Sequence, residues 1–149
     1  MATKGDFNTR VIAEFRANHG RVGGGLAGAP LLLLHTTGAR TGTHRINPVM
    51  YMPDDGRYLI FAAKAGSDRH PGWYYNLLAH PDTQIEIGDQ VLDVHATELH
   101  GSERDDRHAK QVSCYPIFAA YQRGTRRTVP VIALIPINPG PAQTPETWS

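Results

Sequence analysis

Apolar side chains change their spacing several times along this chain, and each change predicts a boundary between elements. Val11, Ile12 and Phe15 recur at helical spacing, which predicts a short amphipathic helix over about Phe7 to Asn18. His19 to Pro30 is too rich in glycine to hold regular structure. Four leucines then run together without a helical polar face and predict a buried strand, Leu31 to Thr36. Arg45 to Met52 reads as a second strand, in which Pro48 marks a sheet edge or a bulge because proline donates nothing to a ladder. The GARTGT loop between these strands is too long for a two-residue hairpin. Asp54, Asp55 and Gly56 turn the chain into a third strand, Tyr58 to Ala63.

The second half continues in the same way. Pro71 opens a helix over about Gly72 to Ala79, at the position where a missing N–H costs nothing, and Pro81 closes it. Ile85 and Ile87 alternate as a strand, Gly88 and Asp89 turn, and Val91 to Leu99 is the hairpin partner. The charged segment Ser102 to Val112 reads as a helix with Ser102 as its N-cap, and a shorter helix spans about Ile117 to Gln122. Val129 to Ile135 is the last strand. From Pro136 the chain carries four prolines in fourteen residues, the composition of a mobile tail.

Six strands joined mostly by hairpin-like links predict a mainly β protein with peripheral helices, a six-stranded antiparallel barrel. A Rossmann fold would need long helices alternating regularly with strands and a G-x-G-x-x-G turn, and neither occurs. The chain divides into an N-terminal helix and glycine-rich connection (1–30), the barrel (31–136) and a proline-rich tail (137–149). At 149 residues this is the size of one domain with a substantial core.

Charge and composition narrow the function. A formal charge of +1 excludes a generally basic nucleic-acid binder, but the charge is unevenly spread. Five Arg or Lys face three Asp between Thr36 and Pro71, whereas eight acidic residues face one Arg between Trp73 and Asp106. One face is suited to anions. The single cysteine, Cys114, excludes an intramolecular disulfide and reads as a small buried side chain in a reducing compartment. The N-terminus lacks the apolar core of a signal peptide, and the longest apolar run, Leu26 to Leu34, is far below the ~20 residues that span a bilayer. A soluble cytoplasmic protein is the simplest account. Eight histidines form no H-x-H, H-E-x-x-H or Cys/His spacing, so no metal site is predicted, and no G-x-S-x-G elbow marks a serine nucleophile.

Two loops carry the candidate chemistry, in TTGARTGTHRINP and KAGSDRHPGWYYNL. Gly38, Gly42 and Gly66 permit close backbone approach, while Arg40, Arg45, Lys64 and Arg69 supply fixed positive charge, a combination that suits an anionic cofactor tail. Taken alone, such loops are also what ordinary turns between strands look like. The aromatic neighbourhood is what shifts the reading. Trp73, Tyr74 and Tyr75 follow the second loop, and Tyr115, Phe118 and Tyr121 at i, i+3, i+6 can line one side of a helix. A flat apolar wall beside an anion-binding loop suits a planar ring with a charged tail.

In LLLLHTTGARTGTHRINPVMYM, AAKAGSDRHPGWYYNLLAHP and CYPIFAAYQRGTRRTVPV the chain resembles the deazaflavin-dependent nitroreductases of actinobacteria, small reductases that use coenzyme F420. The likeness covers about residues 30 to 136. It implies a split β-barrel related to FMN-binding oxidoreductases, and a reduced deazaflavin that passes hydride to quinones, nitro compounds or activated double bonds. It further implies that Arg40, Thr41, Gly42, Arg45 and Pro48 face the cofactor's phosphate and oligoglutamate tail. Ala63, Lys64, Gly66, Trp73 and Asn76 would hold the phosphate, linker and deazaflavin. Tyr115, Phe118 and Tyr121 would flank the substrate. On chemical grounds a tyrosine, Tyr115 or Tyr121, or else water would supply the proton.

The chain departs from the family pattern in three places. Ala39-Arg40 stands where two basic residues are common, and Ala63-Lys64-Ala65-Gly66 replaces a more usual Ser-Lys-Gly-Gly. Phe118 stands where the nitroimidazole-activating member has tyrosine, which argues against that activity here. Two other readings remain: an oxidoreductase using FMN on the same barrel, and a protein that binds or sequesters F420 without turnover. No long hydrophobic edge strand advertises a dimer, so a monomer is expected. Lys4, Arg10, Arg16 and Arg21 near the apolar face of the first helix would allow loose contact with a membrane, although packing of that face on the barrel fits its few apolar residues better.

Overall fold

A computed structural model of the chain describes residues 4–23 and 28–137. Residues 24–27 of the glycine-rich connection and the proline-rich tail beyond Ile137 lie outside the described residues. Strand β1 (Leu31–Thr37) explains why its leucines show no alternation of apolar and polar residues. Leu32 and Leu34 pack with Ile60, Ile85, Val94 and Leu134, whereas Leu31 and Leu33 point the other way, onto Val11 and Phe15 of helix α1 (Lys4–Ala17). Both faces are buried, so both must be apolar.

Around β1 the chain forms one seven-stranded antiparallel sheet in the order β2-β1-β5-β6-β7-β4-β3. The further strands are β2 (His44–Met50), β3 (Met52–Asp54), β4 (Arg57–Phe61), β5 (Asp82–Ile87), β6 (Gln90–Leu99) and β7 (Val131–Pro136). The helices α2 (Gly72–Ala79), α3 (Gly101–Cys114) and α4 (Ile117–Arg123) pack around it. The two edge strands, β2 and β3, are neighbours in sequence with Tyr51 alone between them. A sheet whose outermost strands are covalently adjacent has to curl back on itself, and this produces the barrel.

The seventh strand corrects the single strand expected over Arg45 to Met52. Pairing with β1 ends at Leu31↔Met50, and pairing with β4 begins at Met52↔Leu59. At the corner the Tyr51 N–H donates to the Pro30 carbonyl, at 3.0 Å, and belongs to neither ladder. Pro48 does lie on an edge strand, as its missing donor requires. Asp55 and Gly56, at φ 52° and 84°, make the two-residue β3–β4 hairpin turn with both residues left-handed.

Three local expectations are corrected. Strand β6 runs on to Leu99, so His100 is the N-cap of α3 and Ser102 falls within the first turn. Pro71 is the N-cap of α2, with ψ at 153°, one position before the helix proper. Cys114 is exposed at the end of α3, whose buried residues are His108 and Gln111. Among the described residues no helix is long and apolar enough to cross a membrane.

Helix α1 is held by more than its apolar face. The Arg16 guanidinium donates to both carboxylate oxygens of Glu86 on β5, at 3.0 and 2.7 Å, and His35 Nε2 lies 2.6 Å from Glu86 Oε2. Glu86 is 14% exposed, and the Arg16 hydrogen bond, with help from His35 and against desolvation, pulls its pKa down to about 2. A carboxylate with a depressed folded-state pKa stabilises above its ordinary value, near 4.5, and that stability is lost as pH falls toward 2. Because Arg16 is half exposed, solvent screening keeps the effect modest. Glu86→Gln is expected to lower stability by roughly 1–2 kcal/mol at pH 7. In urea titrations the gap from wild type should close as pH approaches that of the protonated carboxyl. An unchanged gap in acid would mean that the carboxylate charge contributes nothing.

Candidate active site

Between β2 and β4 the curled sheet opens into a cleft of about 970 Å³, the size of a cofactor site. Its deep surface is apolar: Phe61, Ala63 and Phe118 line it and are each less than a tenth exposed. Val49 and Met50 of β2 and Trp73 of α2 extend that surface. Tyr121 lies beside Phe118, their ring centroids 5.2 Å apart and the rings nearly perpendicular. Toward solvent the lining turns cationic, with Arg45 on β2 and Lys64 on the β4–α2 loop, both exposed.

The cations near the cleft and those that brace the fold differ in their partners. Arg16, Arg57, Arg104 and Arg107 are held by carboxylates within the fold. Arg40, Arg45, Lys64 and Arg69 have no ion pair or side-chain hydrogen bond among the described residues. Their charge is therefore free for a ligand, and two of them lie in the cleft.

The loop that carries Lys64 is unusual. Lys64, Ala65 and Gly66 follow one another at φ 45°, 52° and 84°. Ala65 thus takes, with a Cβ, a conformation normally left to glycine, which is a local strain. Gly66 is squeezed against α4: a Cβ there would meet the Tyr121 backbone at 3.2–3.3 Å. Behind the loop, Arg127 donates to the carbonyls of Ala62 (3.0 Å), Ala63 (2.9 Å) and Ser67 (3.0 Å) and to His70 Nδ1 (3.0 Å). Since a guanidinium only donates, His70 Nδ1 accepts and the ring proton sits on Nε2. Burial, then the charge of Arg127, holds the His70 pKa below its ordinary value. His70 packs on Tyr74, whose hydroxyl donates to Glu98 at 2.7 Å. Burial and the Glu98 carboxylate push the Tyr74 phenol up to about 12.

The β1–β2 loop is latched to α2 by Asn76, which is 8% exposed. The Asn76 side-chain oxygen accepts from the Ala39 N–H (3.0 Å) and its amide donates to the Thr36 hydroxyl (3.1 Å). Within that loop Gly42 sits at φ 70°, and a Cβ on Gly38 would strike the Thr41 hydroxyl at 2.6 Å.

Of the residues singled out from the sequence, the cleft brings together Arg45, Pro48, Ala63, Lys64, Trp73, Asn76, Phe118 and Tyr121. Arg40, Thr41 and Gly42 are exposed on the β1–β2 loop outside the lining, and Gly66 backs onto α4. Tyr115 is not on a shared helix face with Phe118 and Tyr121. It is the non-helical C-cap of α3, and it packs against the same buried cluster as Tyr121, one that includes Phe61 and Phe118, without lining the cleft. The break at Tyr115 and Pro116 separates it from α4. Sequence reasoning missed Phe7 and Asn8 of α1 and Phe61 of β4, all in the lining, and it missed Arg127. Phe61 was legible only as an alternating strand residue, and Arg127 only as one of a basic pair.

The family model described as F420H(2)-dependent quinone reductase matches residues 8–136. An F420H(2)-dependent quinone reductase of Mycobacterium tuberculosis is 39% identical over 126 residues, which is 82% of this chain and 85% of that protein. A solved F420-H2 dependent reductase (FDR-A) is 40% identical with a TM-score of 0.64, covering 70% of this chain and 93% of its own. A second solved relative, a domain-swapped dimer, is 37% identical with a TM-score of 0.67 and covers 85% and 92%. The chain belongs to the F420H(2)-dependent quinone reductase family. It is a split-barrel oxidoreductase, its cofactor is reduced F420, and neither FMN use nor simple sequestration is favoured.

Asn76 is the latch between the β1–β2 loop and α2, and it makes a buried hydrogen bond to Thr36 and a part-buried one from Ala39. Asn76→Ala leaves the Thr36 hydroxyl and the Ala39 N–H without that partner and should cost ~1–3 kcal/mol of stability. Thermal unfolding of the apo protein measures it. A melting temperature equal to wild type would show that the latch carries no load.

Proposed function

We propose that the protein passes hydride from reduced F420 to a quinone inside the β2–β4 cleft. The observation that carries this reading is the placement of unpartnered Arg45 and Lys64 at the edge of a buried aromatic surface. The residues present fit the cofactor: a planar ring needs a dry apolar wall, and a phosphate and carboxylate tail needs cations without internal partners. Bound there, reduced F420 supplies the hydride. Lys64 and Arg45 hold the phosphate, and the exposed Arg40, Thr41 and Gly42 meet the tail where it leaves the cleft. Pro48, Ala63 and Trp73 bound the ring, while Gly66 and Asn76 set the position of the two loops. Phe61 and Phe118 exclude water from the reacting face.

The acceptor lies against Phe118 and Tyr121. The Tyr121 hydroxyl donates a hydrogen bond to a quinone oxygen and supplies the proton that accompanies the hydride. Tyr115 does not line the cleft, which favours Tyr121 for this role. Phe118 offers no hydroxyl, which favours quinones over nitro compounds. The working unit includes α1, because Phe7 and Asn8 contribute to the lining. The domain-swapped relative supports self-association over the expected monomer. We place the protein in the cytoplasm. Val11 and Phe15, 7% and 1% exposed, are packed on the barrel, which supports docking of that part of α1 over membrane contact.

Anaerobic mixing of the protein with reduced F420 and menadione tests the reading, with recovery of deazaflavin fluorescence as the signal. Turnover with F420 and none with reduced FMN is expected, and preference for FMN would overturn it. Lys64→Ala should weaken F420 binding by ~1.5–3 kcal/mol, the worth of a charge-assisted hydrogen bond, and leave apo stability nearly unchanged. A large loss of apo stability at constant affinity would make Lys64 structural instead.

Tyr121→Phe should keep cofactor affinity and lower kcat/KM for menadione about tenfold, ~1.4 kcal/mol of transition-state stabilisation. Steady-state kinetics at saturating F420 decides between this tyrosine and water as the proton source. Wild-type rates in the variant would assign the proton to water.

A further inference from the structure

Two cleft residues, Lys64 and Ala65, sit in a turn whose backbone runs against local preference. Three successive residues are left-handed, and two of them carry a Cβ. Such a turn persists only where its surroundings over-determine it. Its flanks are gripped by a single side chain. Arg127 reaches Ala62 and Ala63 on the N-terminal side of the turn and Ser67 and His70 on the C-terminal side, all at 2.9–3.0 Å. Among the described residues no carboxylate pairs with Arg127; its side-chain hydrogen bonds all go to this loop.

The grip is itself anchored. Gln122 of α4 donates to the Arg127 carbonyl at 2.7 Å, and its side-chain oxygen accepts from Arg104 and from the Val129 N–H, each at 2.9 Å. Arg104 in turn donates to the Val129 carbonyl. Helices α3 and α4 and the start of β7 thus hold the backbone from which Arg127 reaches out. On its other side the loop touches α4 without slack, since a Cβ on Gly124 would come within 3.2 Å of the Gly66 carbonyl oxygen.

We propose that Arg127 is a positioning residue for the cofactor: by clamping both flanks of the left-handed turn it sets where the Lys64 ammonium meets the anionic part of F420. The inference rests on the functional reading above. Arg127 does not line the cleft and acts only through the loop. The guanidinium is needed as a fork, because an ammonium cannot satisfy four spread acceptors from one nitrogen.

The test uses fluorescence titration of the apo protein with F420, together with kcat and KM for the reduced cofactor. In Arg127→Ala the affinity should fall about tenfold or more, as expected when a binding group is misplaced, with kcat at saturating cofactor within about twofold of wild type. Arg127→Lys should recover little. Added guanidinium ion should restore affinity in Arg127→Ala and leave wild type unaffected, a response that a merely destabilised fold would not give. Gly124→Ala presses the same turn from the opposite side with Arg127 intact, and it should weaken binding several-fold at nearly unchanged apo melting temperature. Wild-type affinity in Arg127→Ala overturns the inference. If that variant does not fold, wild-type affinity in Gly124→Ala overturns it instead. A wild-type protein that fails to bind F420 overturns the functional reading, and the clamp falls with it.

Discussion

Leu31 to Leu34 give β1 two buried faces, and a strand buried on both faces must be covered twice. The inner cover is the sheet itself, curled until Ile60, Ile85, Val94 and Leu134 meet Leu32 and Leu34. The outer cover is α1, drawn onto Leu31 and Leu33 by Val11 and Phe15 and fastened by Arg16 to Glu86. Both covers are needed for the cleft. Curling brings β2 and β4 to face each other across it, and docking of α1 carries Phe7 and Asn8 to its lining. The functional geometry follows from a run of four leucines with no polar face.

Electrostatics divides the same molecule by role. Cations that meet carboxylates join element to element, as Arg57 and Arg107 do by sharing Asp54 across β3, β4 and α3. Among the described residues, four cations without such partners, Arg40, Arg45, Lys64 and Arg69, lie on or beside the two loops that border the cleft. Arg127 belongs to neither group. It is a partly buried charge whose partners are neutral carbonyls and a histidine, and burial lowers its pKa. Guanidinium tolerates such a setting because it is weakly hydrated and keeps its proton.

Much of this was legible in the sequence because it depends on local chemistry. The turn residues at Asp55, Gly56 and Gly88, the proline on an edge strand and the two glycine-rich loops all announce themselves within a few positions. The family likeness was legible for the same reason. What escaped depends on distance along the chain. A strand that leaves one edge of a sheet and joins the opposite edge, as happens at Tyr51, has the same alternation as one continuous strand. The spacing of Tyr115, Phe118 and Tyr121 is helical in number, yet the break at Pro116 removes the first of them from the helix. Arg127 reaches residues more than fifty positions away through backbone carbonyls, which carry no sequence signal. Ala65 at positive φ was hidden too, because alanine is the residue least suggestive of that conformation.

The corner at Tyr51 has a consequence for how the protein behaves among its neighbours. Exposed sheet edges are templates on which other chains can add strands, and a sheet of seven strands would ordinarily offer two long ones. Here one edge strand contains Pro48, and the other is only three residues long and contains Pro53. A proline has no N–H to offer an incoming strand, and three residues give such a strand little to grip. The fold that opens a cleft for a small molecule therefore also resists growth into aggregates at its margins.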